Sequence, residues 1–302
     1  MKQFASRITQ NHLWRSLIVV GGLVLAILSI SVPHLLAQQA VVVNLEFDYI
    51  RQGSLGVVTL SGSDVVGGVA TALGRTYPFF PTSKGYASLV TAPLDQKIQD
   101  YPLTVTIMTR SGATAHWDGT LKVASGEFVA ETPYILPSDK LFLLADQIQK
   151  SEDEKLISTY SMVTPAHYWE GTFSPPVNGA FTAPFGSWRI YNGGIRSRHT
   201  GQDFRAVSGT PVLASANGRV ALSQPLDIHG ESVIIDHGWG IFTEYSHMTT
   251  RFVVPGQFVL QGDILGLSGT TGRSTGPHVH WEVAVNGIWV NPITFLQTKL
   301  PN

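Results

Sequence analysis

From residue 40 onward, short runs in which apolar and polar residues alternate one by one limit what this chain can fold into. Such runs span 43–49 (VNLEFDY) and 103–107 (LTVTI), and turn-forming clusters such as LSGSD at 60–64 separate them. Because successive side chains of a strand point to opposite faces, each run predicts a strand with one buried face. The sequence therefore predicts a mainly β protein, in which residues 38–130 form a β-sandwich accessory domain.

After residue 130 the apolar spacing changes to that of a helix. Ser138 can cap a helix whose apolar positions recur at i, i+3, i+4 and i+7, namely Leu141, Leu144, Ala145 and Ile148. Ser151, with Glu154 three residues later, can cap a second helix. We therefore predict a helical linker over residues 131–172, followed by a return to short strands and Gly-rich turns in residues 173–302.

The N-terminus has the pattern of an export signal. Lys2, Arg7 and Arg15 precede an uncharged run over 16–32 (SLIVVGGLVLAILSISV). A basic start followed by an apolar core directs export, and a stretch of about 20 apolar residues is needed to span a bilayer. Residues 1–37 are therefore predicted to be a signal peptide or a membrane anchor formed by residues 16–37, and both alternatives stay open. In either case the rest of the chain lies outside the cytoplasm.

The composition restricts the chemistry available to this chain. The formal net charge is −1 and only 14% of the residues are charged, whereas nucleic-acid binding needs a basic face. The chain has no cysteine, so neither disulfides nor thiolate metal sites can form. Nucleic acid is therefore excluded as a partner, and any metal must be held by histidine and carboxylate.

Histidines concentrate in the last part of the chain in suggestive contexts. GPHVH at 276–280 places His278 and His280 on the same face of a predicted strand. His199 and Asp203 are four residues apart in RHTGQDF, which would separate them by about 13 Å on a straight strand. The chain must bend for both to bind one ion, and Gly201 permits a bend.

A catalytic zinc ion usually has three protein ligands from histidine and carboxylate, with water in the fourth position. His199, Asp203 and one of the two histidines of HVH would supply such a set. His247, in TEYSHM, lies at the end of another predicted strand. The histidines that do not bind metal could carry protons or stabilise an oxyanion. No HExxH motif is present, which excludes the helix-borne zincin arrangement.

Several stretches between residues 185 and 292 resemble the lysostaphin-type (LytM-like) zinc endopeptidases of bacterial cell walls. The matching pieces follow one another in the order of that family: HTGQDF, GTPVLASANGRV, IDHGWGIFTEYSHM, VPGQFVLQGDILGLSGTTGRSTGPHVHWEV and VNP. The resemblance implies that residues 173–302 form a small antiparallel β-sheet or barrel-like metallopeptidase domain. It also implies one Zn²⁺ per chain, bound by His199, Asp203 and His280, with His247 and His278 as the catalytic pair.

The resemblance implies an exported zinc metalloendopeptidase that hydrolyses peptide cross-links of peptidoglycan in the cell envelope. Its partners would be stem peptides or cross-bridges, and the family cleaves both D-alanyl–diaminopimelate and glycyl bonds. The alternative is a non-enzymatic envelope protein that binds peptidoglycan or activates another wall hydrolase. The sandwich could bind wall polymer or occlude the groove, and the oligomeric state is left open.

Other polar residues have less specific local patterns. We expect His229 and His167 at the surface and His237 in a turn. Asn192 and Tyr245 are candidates for the groove lining. Four arginines around the first ligand pair could attract stem-peptide carboxylates: Arg189, Arg196, Arg198 and Arg205.

Overall fold

The computed structural model describes residues 41–129 and 132–301. The predicted signal peptide or anchor, residues 1–37, lies outside the described residues. None of the helices within the described ranges is long and apolar enough to cross a membrane.

The first part of the chain forms two antiparallel layers. Its strands are β1 (Val42–Leu45), β2 (Ile50–Arg51), β3 (Ser54–Ser61), β4 (Val65–Ala72), β5 (Arg75–Pro78), β6 (Phe80–Thr82), β7 (Gly85–Ala92), β8 (Asp100–Thr109) and β9 (Thr114–Ala124). One sheet has the order β1-β3-β7-β6 and the other β2-β9-β8-β4-β5, in which β2 pairs with β9 in parallel. This is the β-sandwich expected from the alternating runs.

The alternation places one face of each strand in the sandwich core. Leu103, Val105 and Ile107 of β8 are buried, as their spacing predicts. The first run ends earlier than expected, because β1 stops at Leu45 and Tyr49 is exposed. Phe47 lies beyond the end of this strand, and its ring packs against the backbone of Gly56. A Cβ on Gly56 would lie 2.5 Å from that ring, so only glycine leaves room for it.

The linker contains β10 (Thr132–Tyr134), a 3₁₀ helix (Ser138–Leu144) and α1 (Asp146–Tyr160). The predicted caps are wrong at both positions. Pro137 occupies the N-cap of the 3₁₀ helix, and α1 runs through Ser151 without a break. The helix continues because its buried positions recur at i, i+4 and i+8, as Glu152, Leu156 and Tyr160. Leu156 and Tyr160 fit an apolar helical pattern, but a buried glutamate does not, so the sequence did not indicate that Glu152 is buried.

The rest of the chain is again mostly β. Its strands are β11 (Phe181–Ala183), β12 (Trp188–Tyr191), β13 (Ile195–Arg198), β14 (Gln202–Arg205), β15 (Pro211–Leu213), β16 (Gly218–Leu226), β17 (Gly230–Gly238), β18 (Ile241–Met248), β19 (Thr250–Arg251), β20 (Phe258–Val259), β21 (Ile264–Leu267), β22 (His278–Val285) and β23 (Ile288–Val290), and α2 (Pro292–Gln297) follows. The main sheet has the order β11-β14-β22-β18-β17-β16-β20, with β23 paired to β22. The mainly β fold class is confirmed.

The sandwich packs directly on this second β unit. The rings of Phe80 and Trp239 stack with centroids 5.1 Å apart, and both side chains are buried in one hydrophobic cluster. The side chain of Asn286 donates to the carbonyl of Leu89 at 2.8 Å. The two units therefore share a core rather than being joined only by the linker.

His237 is buried in strand β17, so the expectation that it lies in a turn is wrong. Its Nδ1 lies 2.8 Å from the carbonyl of Asn217, and its Nε2 lies 2.7 Å from the hydroxyl of Thr243. A neutral ring that donates from Nδ1 and accepts at Nε2 satisfies both contacts. Burial lowers the pKa of His237 from 6.5 to about 4.

Replacing Phe80 by Ala should lower the free energy of unfolding by about 3–5 kcal/mol, the usual cost of emptying a buried aromatic site. Urea unfolding of the full chain measures the change. Phe252→Ala is the control, because Phe252 is 54% exposed and its loss should change stability by no more than about 0.5 kcal/mol. Equal losses in the two variants would show that the Phe80–Trp239 contact does not tie the units together.

His237 should make the fold sensitive to moderate acid. Because its pKa falls on folding, the unfolded chain binds the proton first, and stability is lost as pH falls from 6.5 toward 4. Between pH 7 and pH 5 this residue should account for a loss of about 2 kcal/mol. Urea unfolding of the wild type and of His237→Gln at both pH values isolates the contribution of His237. Between pH 7 and pH 5, the free energy of unfolding of the variant should fall by about 2 kcal/mol less than that of the wild type. The same loss in both proteins would contradict the assignment.

Candidate functional site

Strand β22 presents the two histidines of GPHVH at the edge of a polar face. Val279, Trp281 and Val283 point the other way and are fully buried in the hydrophobic core. By the same alternation, Glu282 follows His278 and His280 on the polar face. Pairing with β14 sets Asp203 directly opposite His280. The main sheet thus brings together residues that lie 77 positions apart in the chain.

His199 lies in the short break between β13 and β14, where the chain bends. The absence of a side chain at Gly201 makes room for this bend, because a Cβ there would lie 2.7 Å from the ring of His280. The ring of His199 therefore reaches the same point as Asp203 and His280. Bending of the segment at Gly201 agrees with the expectation from its sequence.

Three ligand-type atoms converge at this point. Nε2 of His199 lies 3.0 Å from Oδ1 of Asp203 and 2.9 Å from Nδ1 of His280, and the latter two atoms are 2.8 Å apart. Three atoms this close can each lie about 2 Å from one ion. Two imidazole nitrogens and a carboxylate oxygen, all buried, form a donor set that fits a divalent metal ion.

The other ring nitrogens of these two histidines are held by acceptors. Nδ1 of His199 lies 2.8 Å from the carbonyl of Pro184, and Nε2 of His280 lies 3.0 Å from Oε1 of Glu282. A proton on each of these nitrogens satisfies the acceptor and leaves the converging nitrogen unprotonated. The hydrogen bonds therefore select the tautomers that a metal requires.

Burial and neighbouring charges set the ionisation states of the groups at the convergence point. Burial alone would raise the pKa of Asp203, but its ion pair with the buried Arg189 and its contacts with the histidines hold that pKa well below its usual range. Burial opposes charge on His280 as well, yet the carboxylates of Asp203 and Glu282 raise its pKa. Burial and the nearby Arg189 lower the pKa of His199 to about 4. The site therefore combines an ionised carboxylate with a neutral imidazole at neutral pH.

His247 and His278 lie beside this point as a pair, with ring centroids 4.7 Å apart. Nδ1 of His247 donates to the carbonyl of Thr271 at 2.9 Å, and Nδ1 of His278 donates to that of Gly276 at 2.8 Å. Nε2 of His278 is buried without a hydrogen-bond partner among the described residues. Burial lowers the pKa of both rings, so their Nε2 atoms are unprotonated bases at neutral pH.

His247 also has an unusual backbone, with φ of 62°. A residue with a side chain is uncommon in this left-handed region and such strain collects at functional sites. The amide of His247 donates to the carbonyl of His229 at 2.8 Å, which holds the segment in place. His247 is the last-but-one residue of β18, and at this point its ring lies beside that of His278.

A second buried polar cluster lies behind His280, and the sequence did not reveal it. The expectation that His229 is a surface residue is wrong: it is 7% exposed, with Nδ1 2.5 Å from Oε1 of Glu152 and Nε2 3.4 Å from Oε1 of Glu282. Burial opposes its charge, but the surrounding carboxylates raise its pKa well above 6.5. Burial raises the pKa of Glu244, opposite Glu282 in the sheet, to about 7.

Two of the candidates for the groove lining have other roles. Tyr245 is fully buried, and its hydroxyl accepts from the amide of Ser215 at 2.8 Å, so it belongs to the core. The side chain of Asn192 accepts from the amide of Leu136 at 3.0 Å and so fixes the linker. Of the arginines, Arg189 pairs with Asp203, while Arg196 and Arg198 lie over the ring of Trp188.

The site opens into a cavity of about 710 Å³ whose walls come from three parts of the chain. The sandwich contributes Pro93, Leu94 and Asp95, and helix α1 contributes Gln149 and Asp153. The third wall carries part of the polar site and its flanking cations: Arg198, His199, His229, His247, Arg273 and His280. A cleft of this size can hold a short peptide.

Comparison with known proteins places this site in a family. Residues 197–292 match the model of Peptidase family M23. The chain is 38% identical over 128 residues to the DD-carboxypeptidase/endopeptidase Mpg of Neisseria meningitidis, covering 40% of this chain and 28% of that protein. It is 40% identical over 103 residues to the peptidoglycan DD-endopeptidase ShyA of Vibrio cholerae, covering 34% and 23%. The chain thus spans less than a third of the length of these relatives.

A crystal structure from Pseudomonas aeruginosa assigned to peptidase M23 has a similar fold over most of the chain. It superposes with a TM-score of 0.63 at 24% identity, covering 84% of this chain and 97% of that one. The match of residues 197–292 to the family model confirms the resemblance on which the sequence prediction rests. The chain therefore contains a domain of Peptidase family M23.

Proposed function

We propose that this protein is a zinc endopeptidase that cleaves peptide cross-links of peptidoglycan in the bacterial cell envelope. The observation that carries the proposal is the convergence of Nε2 of His199, Oδ1 of Asp203 and Nδ1 of His280 beside two histidines with unprotonated Nε2 atoms. Of the relatives with similar sequences, one is named as a DD-carboxypeptidase/endopeptidase and another as a peptidoglycan DD-endopeptidase. We name zinc as the metal because it prefers such nitrogen and carboxylate donors in buried, four-coordinate sites.

Zinc bound by His199, Asp203 and His280 would polarise a carbonyl oxygen and lower the pKa of water toward 7. The side chains of the protein provide the rest of the chemistry. Nε2 of His278 and of His247 can each accept a proton in the step that forms the new C–O bond, and one of them can return it to the leaving amine. The hydrogen bonds from their Nδ1 atoms to backbone carbonyls keep both rings in the required orientation and tautomer.

Substrate would lie in the cavity between the sandwich, helix α1 and the main sheet. Arg198 and Arg273 place positive charge on its wall, which suits the free carboxylates of stem peptides. In this proposal residues 1–37 export or anchor the chain, 38–130 are the accessory sandwich, 131–172 the linker and 173–302 the peptidase domain.

Digestion of purified peptidoglycan by the full chain with zinc tests the activity. We expect soluble muropeptides that carry new amino termini within the cross-bridge or at the cross-linked residue. Product separation and end-group analysis identify the bond. If walls of several cross-link types remain intact while the protein holds its zinc, the enzymatic assignment fails and the non-enzymatic envelope protein becomes the better description.

Replacing a metal ligand and replacing a proton carrier should have different results. His199→Ala, Asp203→Ala and His280→Ala should each abolish stoichiometric zinc, measured by metal analysis after dialysis. His278→Ala should keep one zinc per chain and lose activity by about 10²–10⁴-fold, the usual contribution of a general acid or base. An empty site in His278→Ala together with full occupancy in His280→Ala would reverse the roles assigned to the two histidines.

A further inference from the structure

Glu282 is the acceptor that holds the imidazole of His280 from behind. Nε2 of His280 donates to Oε1 of Glu282 at 3.0 Å, while Nδ1 of the same ring faces His199 and Asp203. This bond keeps the proton on Nε2 and leaves the lone pair of Nδ1 directed at the metal position. A carboxylate behind a ligating histidine also makes the ring a stronger base.

The carboxylate of Glu282 is itself fixed by donors from several parts of the fold. Oε1 accepts from the hydroxyl of Thr200 and faces Nε2 of His229 at 3.4 Å. Oε2 accepts from the indole of Trp289 at 2.6 Å and lies 3.2 Å from the hydroxyl of Tyr160. With 1% of its surface exposed, Glu282 is shielded from bulk solvent. These donors hold both carboxylate oxygens in place.

Helix α1 supplies part of this support from outside the family match. Tyr160 contacts Glu282 directly, and Glu152 accepts from Nδ1 of His229 as well as from the backbone amides of Ile228 and His229. Residues 146–160 lie well before residue 197, where the match to the family begins. The linker helix thus reaches the rear of the metal position through two buried side chains.

We propose that Glu282 is a positioning residue that sets the metal affinity of His280, and that helix α1 stabilises it through Tyr160 and the Glu152–His229 pair. The proposal rests on the proposed function only in taking His199, Asp203 and His280 as metal ligands. It makes helix α1 part of the metal-binding unit rather than a spacer.

A second metal ion held by His229, His280 and Glu282 is the competing interpretation, since their ligand-type atoms are also close together. It would require both ring nitrogens of His280 to lose their protons. Hydrogen bonds account for these contacts without that cost, because His229 and His280 both have a proton to donate to Glu282. We therefore expect one metal ion per chain at saturation.

The test compares Glu282→Gln with Glu244→Gln in the full chain. Glu244 is the matched control, because it is buried opposite Glu282 and its side chain hydrogen-bonds Tyr160 and Ser246 rather than a metal ligand. Zinc affinity is measured by competition with a chelator, and cobalt(II) absorption reports the ligand geometry. Glu282→Gln should weaken zinc binding by about 10–100-fold, as loss of such a partner usually does, and shift the cobalt bands. Glu244→Gln should stay within about twofold of the wild type, because its partners remain.

Thermal melting of the metal-free proteins separates a positioning role from a general loss of folding. If Glu282→Gln does not fold, Tyr160→Phe takes its place; it removes one hydroxyl that contacts Glu282 and should weaken zinc binding by about threefold. Wild-type affinity in Glu282→Gln, or in Tyr160→Phe when it is the variant used, would overturn the proposal. So would equal weakening in both Gln variants, or two metal ions per wild-type chain.

Failure of the proposed function would look different. The wild type would then bind one zinc ion with the affinity pattern above and leave peptidoglycan intact. The metal measurements do not depend on cleavage, so the role of Glu282 would stand in that case.

Discussion

The pairing of β14 with β22 in one register is the constraint on which the site depends. Asp203 faces His280 across this pair, and Val279 and Trp281 fill the core on the opposite face. A slip by one residue would exchange the two faces, placing imidazoles in the core and apolar side chains at the site. The hydrophobic core therefore fixes the position of the proposed metal ligands, because it can accept only one of the two arrangements.

The fold also buries many ionisable groups close to one another. Charges inside a protein are costly unless each has a partner. Asp203 is matched by Arg189, and His229 lies between Glu152 and Glu282. The pKa of Glu244 rises to about 7 through burial, and in its neutral form it adds no further negative charge to the cluster. The charged groups thus form matched sets, which explains how a polar site can lie inside a shared hydrophobic core.

Much of the fold and of the candidate site could be predicted from the sequence, because the relevant patterns are local. Alternation identified the strands and the common face of His278 and His280, and the motif order identified the family. The remaining features depend on contacts between distant residues. Nothing near Glu152 or Tyr160 signals that they meet strand β22, and His229 has no local pattern that distinguishes a buried ring from an exposed one. The position of Glu282 could have been predicted, because the alternation that places His278 and His280 on one face of the strand also places Glu282 there.

Gly201 has a consequence for how this site would look in a genetic screen. A methyl group at this position would meet both the ring of His280 and the carbonyl of Trp281, 2.5 Å from the Cβ position. Any substitution there would displace the ring of His280, a proposed metal ligand, without changing that residue. For the proposed endopeptidase, a search for inactive alleles would therefore collect Gly201 variants together with those of the five proposed histidine and aspartate residues. Activity data alone would count a residue with no functional group as a sixth member of the site.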